Sequence, residues 1–165
     1  MKYISFTKVA LPYGWLGNMS PYPVTYKGEE WRTTEALFQA LRFNDPEIQK
    51  AIRDEKSPMG AKLKAKGIMN RIKESGDFSK IAVTPLSAED LKNMEICIKL
   101  KISQHPDLLK ELLKTGDLPI YEDVTARGKR GTNLFWGALI EDEEWIGNNH
   151  LGKIWEKVRA SYNMI

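Results

Sequence analysis

The stretch that most limits how this chain can fold is its last one. Leu151, Ile154, Trp155, Val158 and Tyr162 recur at helical spacing after Gly147-Asn148-Asn149 and put one apolar face on a helix. Such a face leaves water only by packing against other elements, so the chain has to build a multi-element core. Leu91, Met94, Ile98 and Ile102 repeat the same period, and Ser87-Ala88-Glu89-Asp90 before them has the form of a capping box. Thr33 or Thr34 caps a helix running to about Asn44, with Leu37, Leu41 and Asn44 on one stripe and Phe38 beside it. Pro46 opens a helix through Arg53, and Leu108, Leu109, Leu112 and Leu113 form another that stops at Thr115-Gly116. The basic run after Ser57-Pro58 permits a helix as far as Gly67, and 68–86 shows no decided pattern.

Strand signals are shorter. Tyr3 to Thr7, Leu118 to Tyr121 and Asn133 to Ile140 read as strands, and Pro23 to Trp31 as a hairpin turning at Lys27-Gly28. The Gly-flanked stretch from Ala126 to Gly131 reads as a mobile, exposed loop. With no linker, repeat or low-complexity tract, the expectation is one mainly helical α+β domain over residues 1–165, with a small antiparallel sheet.

Composition sets outer limits on function. Lys plus Arg is 25 against 22 for Asp plus Glu, a net charge of +3 that permits a phosphate-bearing partner without requiring one. Cys97 is the single cysteine, which excludes an intramolecular disulfide framework and a Cys-rich zinc site. His105 and His150 have no neighbours at ligand spacing, so no metal is expected; no dinucleotide or P-loop fingerprint calls for a cofactor. No run approaches the ~18 apolar residues of a membrane span, and the N-terminus lacks a signal-peptide core. The expectation is a cytoplasmic protein with no membrane partner.

Several groups of residues can carry chemistry. Glu35 sits in the first turn of a helix, with Gln39 one turn on and Arg42 three residues after that, on one face. Two readings fit this spacing: a solvated polar face, or a carboxylate held in a cleft beside amide and guanidinium groups. The loop Tyr13, Gly14, Trp15, Leu16, Gly17, Asn18 either lids the core or forms a stacking wall for a flat heterocycle, with Asn18 reading polar edges. Lys62, Lys64 and Lys66 are either a solvated helix face or a phosphate cradle, and crowded ammonium groups can leave one lysine partly neutral and nucleophilic. Arg127, Lys129 and Arg130 form a second basic cluster. Asn149 at a helix start offers either plain capping or an anion site, and Glu122 with Trp136-Gly137 either an acidic and aromatic wall or a strand end.

Taken in order, these segments resemble the NADAR superfamily of YbiA-like N-glycosidases along nearly the whole chain. Tyr13 to Asn18 followed by Tyr22-Pro23-Val24 resembles the family's opening YGFLSNF and its proline. Trp31, Thr34-Glu35 and Phe38-Gln39-Ala40 resemble its T-x-E-H-x-F-Q-A helix, and Ser57-Pro58 with Ala61-Lys62 its P-x-x-A-K segment. Met94, Lys101 and Gln104 fall where the family has a helix ending K-F-x-Q. Leu112-Leu113, Thr115-Gly116-Asp117, Glu122, Trp136-Gly137, the run from Gly147 to Gly152 and Arg159 complete the likeness. Three positions depart from it: Ala36 stands where the family has histidine, Gly17 where it has serine, and Leu86 near the place of a tryptophan. These departures resemble a divergent branch such as that of T-even phages.

The resemblance implies metal-independent hydrolysis of an N-glycosidic bond between a ribose-type sugar and a nitrogen heterocycle. Expected partners are a phosphorylated ribosylamino-pyrimidine of riboflavin synthesis or ADP-ribosyl-guanine in nucleic acid. It gives Glu35 the part of the catalytic carboxylate and Lys62 that of an amine capturing the opened sugar. Tyr13, Trp15, Asn18, Gln39, Lys66, Glu122, Trp136, Gly137 and Asn149 become substrate contacts. A module that binds ADP-ribose without turnover is the second reading, and a small nucleic-acid-associated protein the third.

Overall fold

The computed structural model describes residues 2–163. By their contacts the residues fall into two compact units: Pro21–Gln104, and Met1–Ser20 together with His105–Ile165. The α+β expectation holds.

In the unit Pro21–Gln104, β1 (Val24–Tyr26) and β2 (Glu29–Trp31) pair as an antiparallel hairpin, Val24 opposite Trp31. Lys27 and Gly28, at φ 51° and 82°, make the two-residue turn with both centres left-handed whose twist matches the strands. Thr33 starts α1 (Thr34–Leu41): its extended backbone lets the hydroxyl accept from the Ala36 N–H. α2 (Pro46–Arg53) follows, with the Asp45 carboxylate capping it at the Glu47 N–H. α3 spans Pro58–Ser75, 18 residues, and runs straight through Gly67. Gly67 lacks only a side chain; what carries the helix past it is the buried face of Ala61, Ala65, Ile68, Met69 and Ile72. The helix ends at Gly76, whose φ of 74° makes the left-handed cap. α4 (Ala88–Gln104) then buries Met94, Cys97, Ile98 and Ile102.

α1 lies against α2, α3, α4 and β2. Ala36, Leu37, Phe38, Gln39 and Ala40 are all buried, so α1 is enclosed on most of its circumference and not amphipathic. Its C-terminal end is tied down as well: the Arg42 carbonyl accepts from both the Ala82 and Val83 N–H groups. The segment without a decided pattern, 68–86, is therefore helix as far as Ser75 and non-helical after it, where 76–86 passes back along the end of α1.

In the other unit, β3 (Ile4–Phe6) pairs with β4 (Ile120–Glu122), and this pairing is parallel, Ile4 opposite Ile120. α5 (Pro106–Lys114) precedes β4, with Thr115 and Gly116 (φ 62°) closing it. Asn133–Trp136, expected as strand, is the one-turn helix α6; only Leu139–Glu141 beyond it is strand, β5, paired antiparallel with β6 (Glu144–Ile146). The alternation of Leu134, Trp136 and Ala138 imitates a strand, but Gly137 breaks it: its N–H turns back to the Asn133 carbonyl. The stretch 126–131 is not a loose loop either, since Thr125–Arg127 forms a 3-10 turn and Asn133 Nδ2 holds the Gly128 carbonyl at 3.0 Å. α7 (His150–Asn163) buries Leu151, Trp155 and Val158, and the Trp155 indole N–H donates to the Leu16 carbonyl at 3.0 Å.

Two glycines give opposite expectations. A methyl at Gly152 would stand 2.0 Å from the Ile120 carbonyl oxygen, whereas one at Gly67 would meet nothing within 4 Å. Gly152→Ala should lose about 2 kcal/mol or more by forcing α7 off β4, and Gly67→Ala should gain about 0.5–1 kcal/mol. Thermal unfolding of the two variants checks both signs at once.

Candidate active site

The expected polar face of α1 is not solvated. Gln39 is 8% exposed, and its Nε2 donates to Glu35 Oε2 at 2.8 Å. Arg42 Nη1 approaches Gln39 Oε1 at 3.5 Å, which fixes the amide: arginine can only donate, so the Gln39 oxygen faces Arg42 and its NH2 faces Glu35. Arg42 also stacks its guanidinium over the Phe38 ring, 4.8 Å from the centroid. The main call on that guanidinium comes from α4. Asp90, fully buried, takes it in a two-pronged grip at 3.0 Å (Nε–Oδ1) and 2.7 Å (Nη2–Oδ2).

Glu35 itself is half-buried. Loss of water raises its carboxyl above the ordinary 4.5; the Gln39 hydrogen bond and the Lys62 and Arg42 charges oppose this without cancelling it. Lys62 lies on α3, exposed, with its charge felt at Glu35, and Lys66 is one turn further along the same helix, also exposed. Lys64, between them, instead pairs with Glu55 at 3.8 Å. A carboxylate with a raised pKa, one amide donor and a nearby ammonium group can together stabilise a developing cation and steer water.

On α4 stand two further groups. Cys97 is completely buried, and that burial together with the Glu35 and Asp90 charges pushes its thiol far above the ordinary range, so it is inert. Lys101 is also fully buried, its ammonium 5.4 Å from the Tyr22 ring centroid, and loss of water brings its pKa down to about 7. The signal for Lys101 was its place in the likeness to the K-F-x-Q helix end; helical periodicity alone made it a polar interruption of an apolar stripe.

The remaining candidates belong to the other unit. Tyr13 adopts a left-handed conformation (φ 63°) ahead of a 3-10 turn, Gly14–Leu16. Gly14 is clamped there, since a Cβ would stand 2.1 Å from the Val9 carbonyl oxygen. Trp15 meets Trp155 edge to face at 5.7 Å, and Asn18 is buried at 8% exposure. Trp136 ends α6, edge to face with Phe135 at 4.9 Å. Gly137 packs where a Cβ would lie 2.6 Å from the Glu122 carbonyl oxygen. Glu122 accepts from Arg127 at 3.4 Å, and Lys129 pairs with Glu141 at 3.3 Å, so two of the three cations in the second basic cluster have local acidic partners.

Asn149 is tied into the scaffold. It is 4% exposed, and both ends of its amide are engaged: Oδ1 accepts from the Glu122 N–H at 3.0 Å and Nδ2 donates to the Ile120 carbonyl at 2.8 Å. The side chain thereby acts as a strand partner for β4, with its oxygen and one of its two N–H donors engaged. Of the expected site residues, then, Glu35, Gln39, Lys62 and Lys66 share one unit. Tyr13, Trp15, Asn18, Glu122, Trp136, Gly137 and Asn149 share the other.

Among the described residues no cluster of three or more His, Cys, Asp or Glu could hold a metal ion, and no helix is long and apolar enough to cross a membrane.

Such a carboxylate and amide on a buried helix, set in an α+β frame of this order, can be compared with known proteins. The NADAR domain family matches residues 5–162, and the chain belongs to that family. It is similar to the N-glycosidase Npun_R5314 of Nostoc punctiforme, 29% identical over 94% of this chain and 90% of the relative. It is also similar to the N-glycosidase YbiA of Escherichia coli, at 25% identity over 94% and 86%. A third relative, the riboflavin biosynthesis protein VVA0006 of Vibrio vulnificus, is 27% identical, and this chain spans 38% of its length. The fold matches the solution structure of E. coli YbiA with a TM-score of 0.72, covering 99% of this chain and 88% of that one.

Two stability measurements follow from the buried charges. Glu35, with a raised folded pKa, binds its proton more tightly folded than unfolded, so its contribution is favourable at low pH and lost as pH rises through the folded value. Glu35→Gln should therefore melt higher than the parent at pH 7, with the gain vanishing near pH 4. For Lys101 the folded pKa is depressed to about 7, so above it unfolding takes up a proton and stability climbs with pH toward the unfolded pKa of about 10.4. Lys101→Met should flatten that climb between pH 7 and 10 in denaturant titrations.

Proposed function

We propose that this chain is an N-glycosidase acting on a phosphorylated ribose or ADP-ribose attached to a nitrogen heterocycle. The single observation that supports it best is Glu35: a half-buried carboxylate on α1, raised toward neutrality by loss of water and held by Gln39 at 2.8 Å. The names of the relatives support the class of reaction. In this reading the bond from C1′ to nitrogen breaks and its electron pair stays on the heterocycle, which takes up a proton. The sugar carbon gains cationic character, stabilised by the Glu35 carboxylate. A water oxygen then bonds to C1′ and gives its proton to Glu35. The net change is addition of one water, leaving a free base and a free sugar.

Lys62, whose charge reaches Glu35, is assigned to capture the ring-opened sugar aldehyde as an imine, losing one water that a later hydrolysis returns. Lys66 is assigned to phosphate, and Gln39 to orienting the carboxylate. The same reading keeps Trp15 and Trp136 as stacking residues, with Tyr13, Asn18, Glu122 and Gly137 as substrate contacts, and treats residues 1–165 as one NADAR domain.

The test is release of base from ADP-ribosylated guanine oligonucleotides and from ribosylamino-pyrimidine phosphates. The parent protein should release base from one of them, and Glu35→Gln should lose at least about 100-fold while keeping its fold. Because Glu35 works ionised, the rate should fall on the acid side at a pH above 4.5, the ordinary glutamate value. Undiminished release by Glu35→Gln would falsify the assignment. Tight binding of ADP-ribose by the parent without release would establish the non-catalytic reading instead. Borohydride added during turnover should leave a reduced sugar adduct on Lys62, and an adduct elsewhere moves the covalent step to that lysine.

A further inference from the structure

Arg42 lies seven residues after Glu35, on the same face of the α1 end, close enough for its charge to be felt at the carboxylate. Two turns separate the pair, a span that the long arginine side chain could cover by leaning back along the helix if nothing else held it. In this structure it does not. Both prongs of its fork go to Asp90, and Gln39 stands between it and Glu35. Asp90 is itself fixed from three sides. Its Oδ2 accepts from the Leu86 N–H at 2.9 Å, and its own N–H donates to the Ser87 hydroxyl at 3.3 Å. Arg42 supplies the third hold, and the carboxylate is 0% exposed. The Leu86 N–H reaches it from a left-handed backbone, φ 66°, an unusual conformation for a leucine.

We infer that Asp90 is a positioning residue for Glu35: by gripping Arg42 it keeps that cation one side chain away, so that the carboxylate meets an amide donor and stays uncommitted. The inference rests on the reading of Glu35 as the working carboxylate. The charged groups that act on Glu35 are Lys62 of α3 and Arg42, while the Cys97 thiol of α4 feels the Glu35 charge and stays neutral. Of these, Arg42 is the one whose reach another residue controls. A carboxylate tied into a salt bridge would hold its charge too firmly to accept a proton from water.

Two substitutions should push Glu35 in opposite directions. Asp90→Asn frees the guanidinium to swing toward Glu35, which lowers the Glu35 pKa. Arg42→Met removes the cation and leaves Asp90 without its partner; both effects raise it. The readout is the Glu35 side-chain carboxyl resonance followed by 13C NMR against pH, with no substrate present. Each shift should be about half a unit or more, of opposite sign. In the base-release assay Asp90→Asn should lower kcat about 10-fold or more with KM within about twofold, and move the acid limb of the pH profile downward. Shifts of the same sign, or none, would overturn the inference, since a merely structural pair has no reason to move Glu35 both ways. Should Asp90→Asn fail to fold, Arg42→Met alone decides: an unchanged or lowered Glu35 pKa sinks the proposal. The titration needs no turnover, so its failure is separate from failure of the glycosidase reading, which shows as an active Glu35→Gln.

Discussion

Helix α1 has eight residues and neighbours on four sides, and that enclosure governs the chemistry of the unit around it. A short helix wrapped by α2, α3, α4 and β2 cannot hand its polar side chains to water. Each must find a partner inside or impose the cost of a buried, unsatisfied group. The result is a chain of contacts running Glu35, Gln39, Arg42, Asp90, with a donor facing an acceptor at each step. Three of its members lie within eight residues of sequence; the fourth comes from a different helix. The order matters, because the fully buried acid takes the fully charged base. What is left to Glu35 is an amide, the weaker of the two donors.

The other unit solves a different problem, close approach of backbone to backbone. α7 lies so near β4 that Gly152 could not carry a methyl, and Asn149 fills the place of a missing strand by bonding both Ile120 and Glu122. Trp155 closes the opposite side by donating to the Leu16 carbonyl, which anchors the 3-10 turn holding Trp15. In the aromatic loop a side chain at Gly14 would collide with the Val9 carbonyl, and Tyr13 ahead of it holds a left-handed conformation. Close packing of this kind suits a surface that must hold its shape, since little entropy remains to be lost when something binds.

How much of this was legible in the sequence depends on how local each cause is. The Lys27-Gly28 turn, the Thr33 cap and the prolines opening α2 and α3 are decided by neighbouring residues, and each is found where its residues indicate. Gly67 misleads because a glycine weakens a helix by only about 1 kcal/mol, less than the burial of Ile68, Met69 and Ile72 beyond it supplies. The strand-like look of 133–136 is overturned by one backbone hydrogen bond from Gly137, which no periodicity reports. At the site, helical spacing puts Glu35, Gln39 and Arg42 on one face but says nothing of whether that face is wet. What decides the matter is Asp90, 48 residues from Arg42, and its capping-box position disguised it as a helix start. Asn149 is the complementary case: a helix-start asparagine reads as capping or anion binding, and nothing local reveals that its amide also bonds strand groups 27 and 29 residues away.

The same buried chain explains why stability and chemistry pull against each other here. A glutamate at this depth would be more stable neutral, or paired directly with Arg42, than left half-buried beside an amide. The fold keeps the less stable arrangement by committing the guanidinium elsewhere, to an aspartate that has no exposure at all. Releasing Arg42 would relieve Glu35 and strand Asp90, so the two carboxylates compete for one cation and the deeper one prevails. The members are therefore coupled: each is satisfied through the next, so a change at one is felt along the chain of contacts.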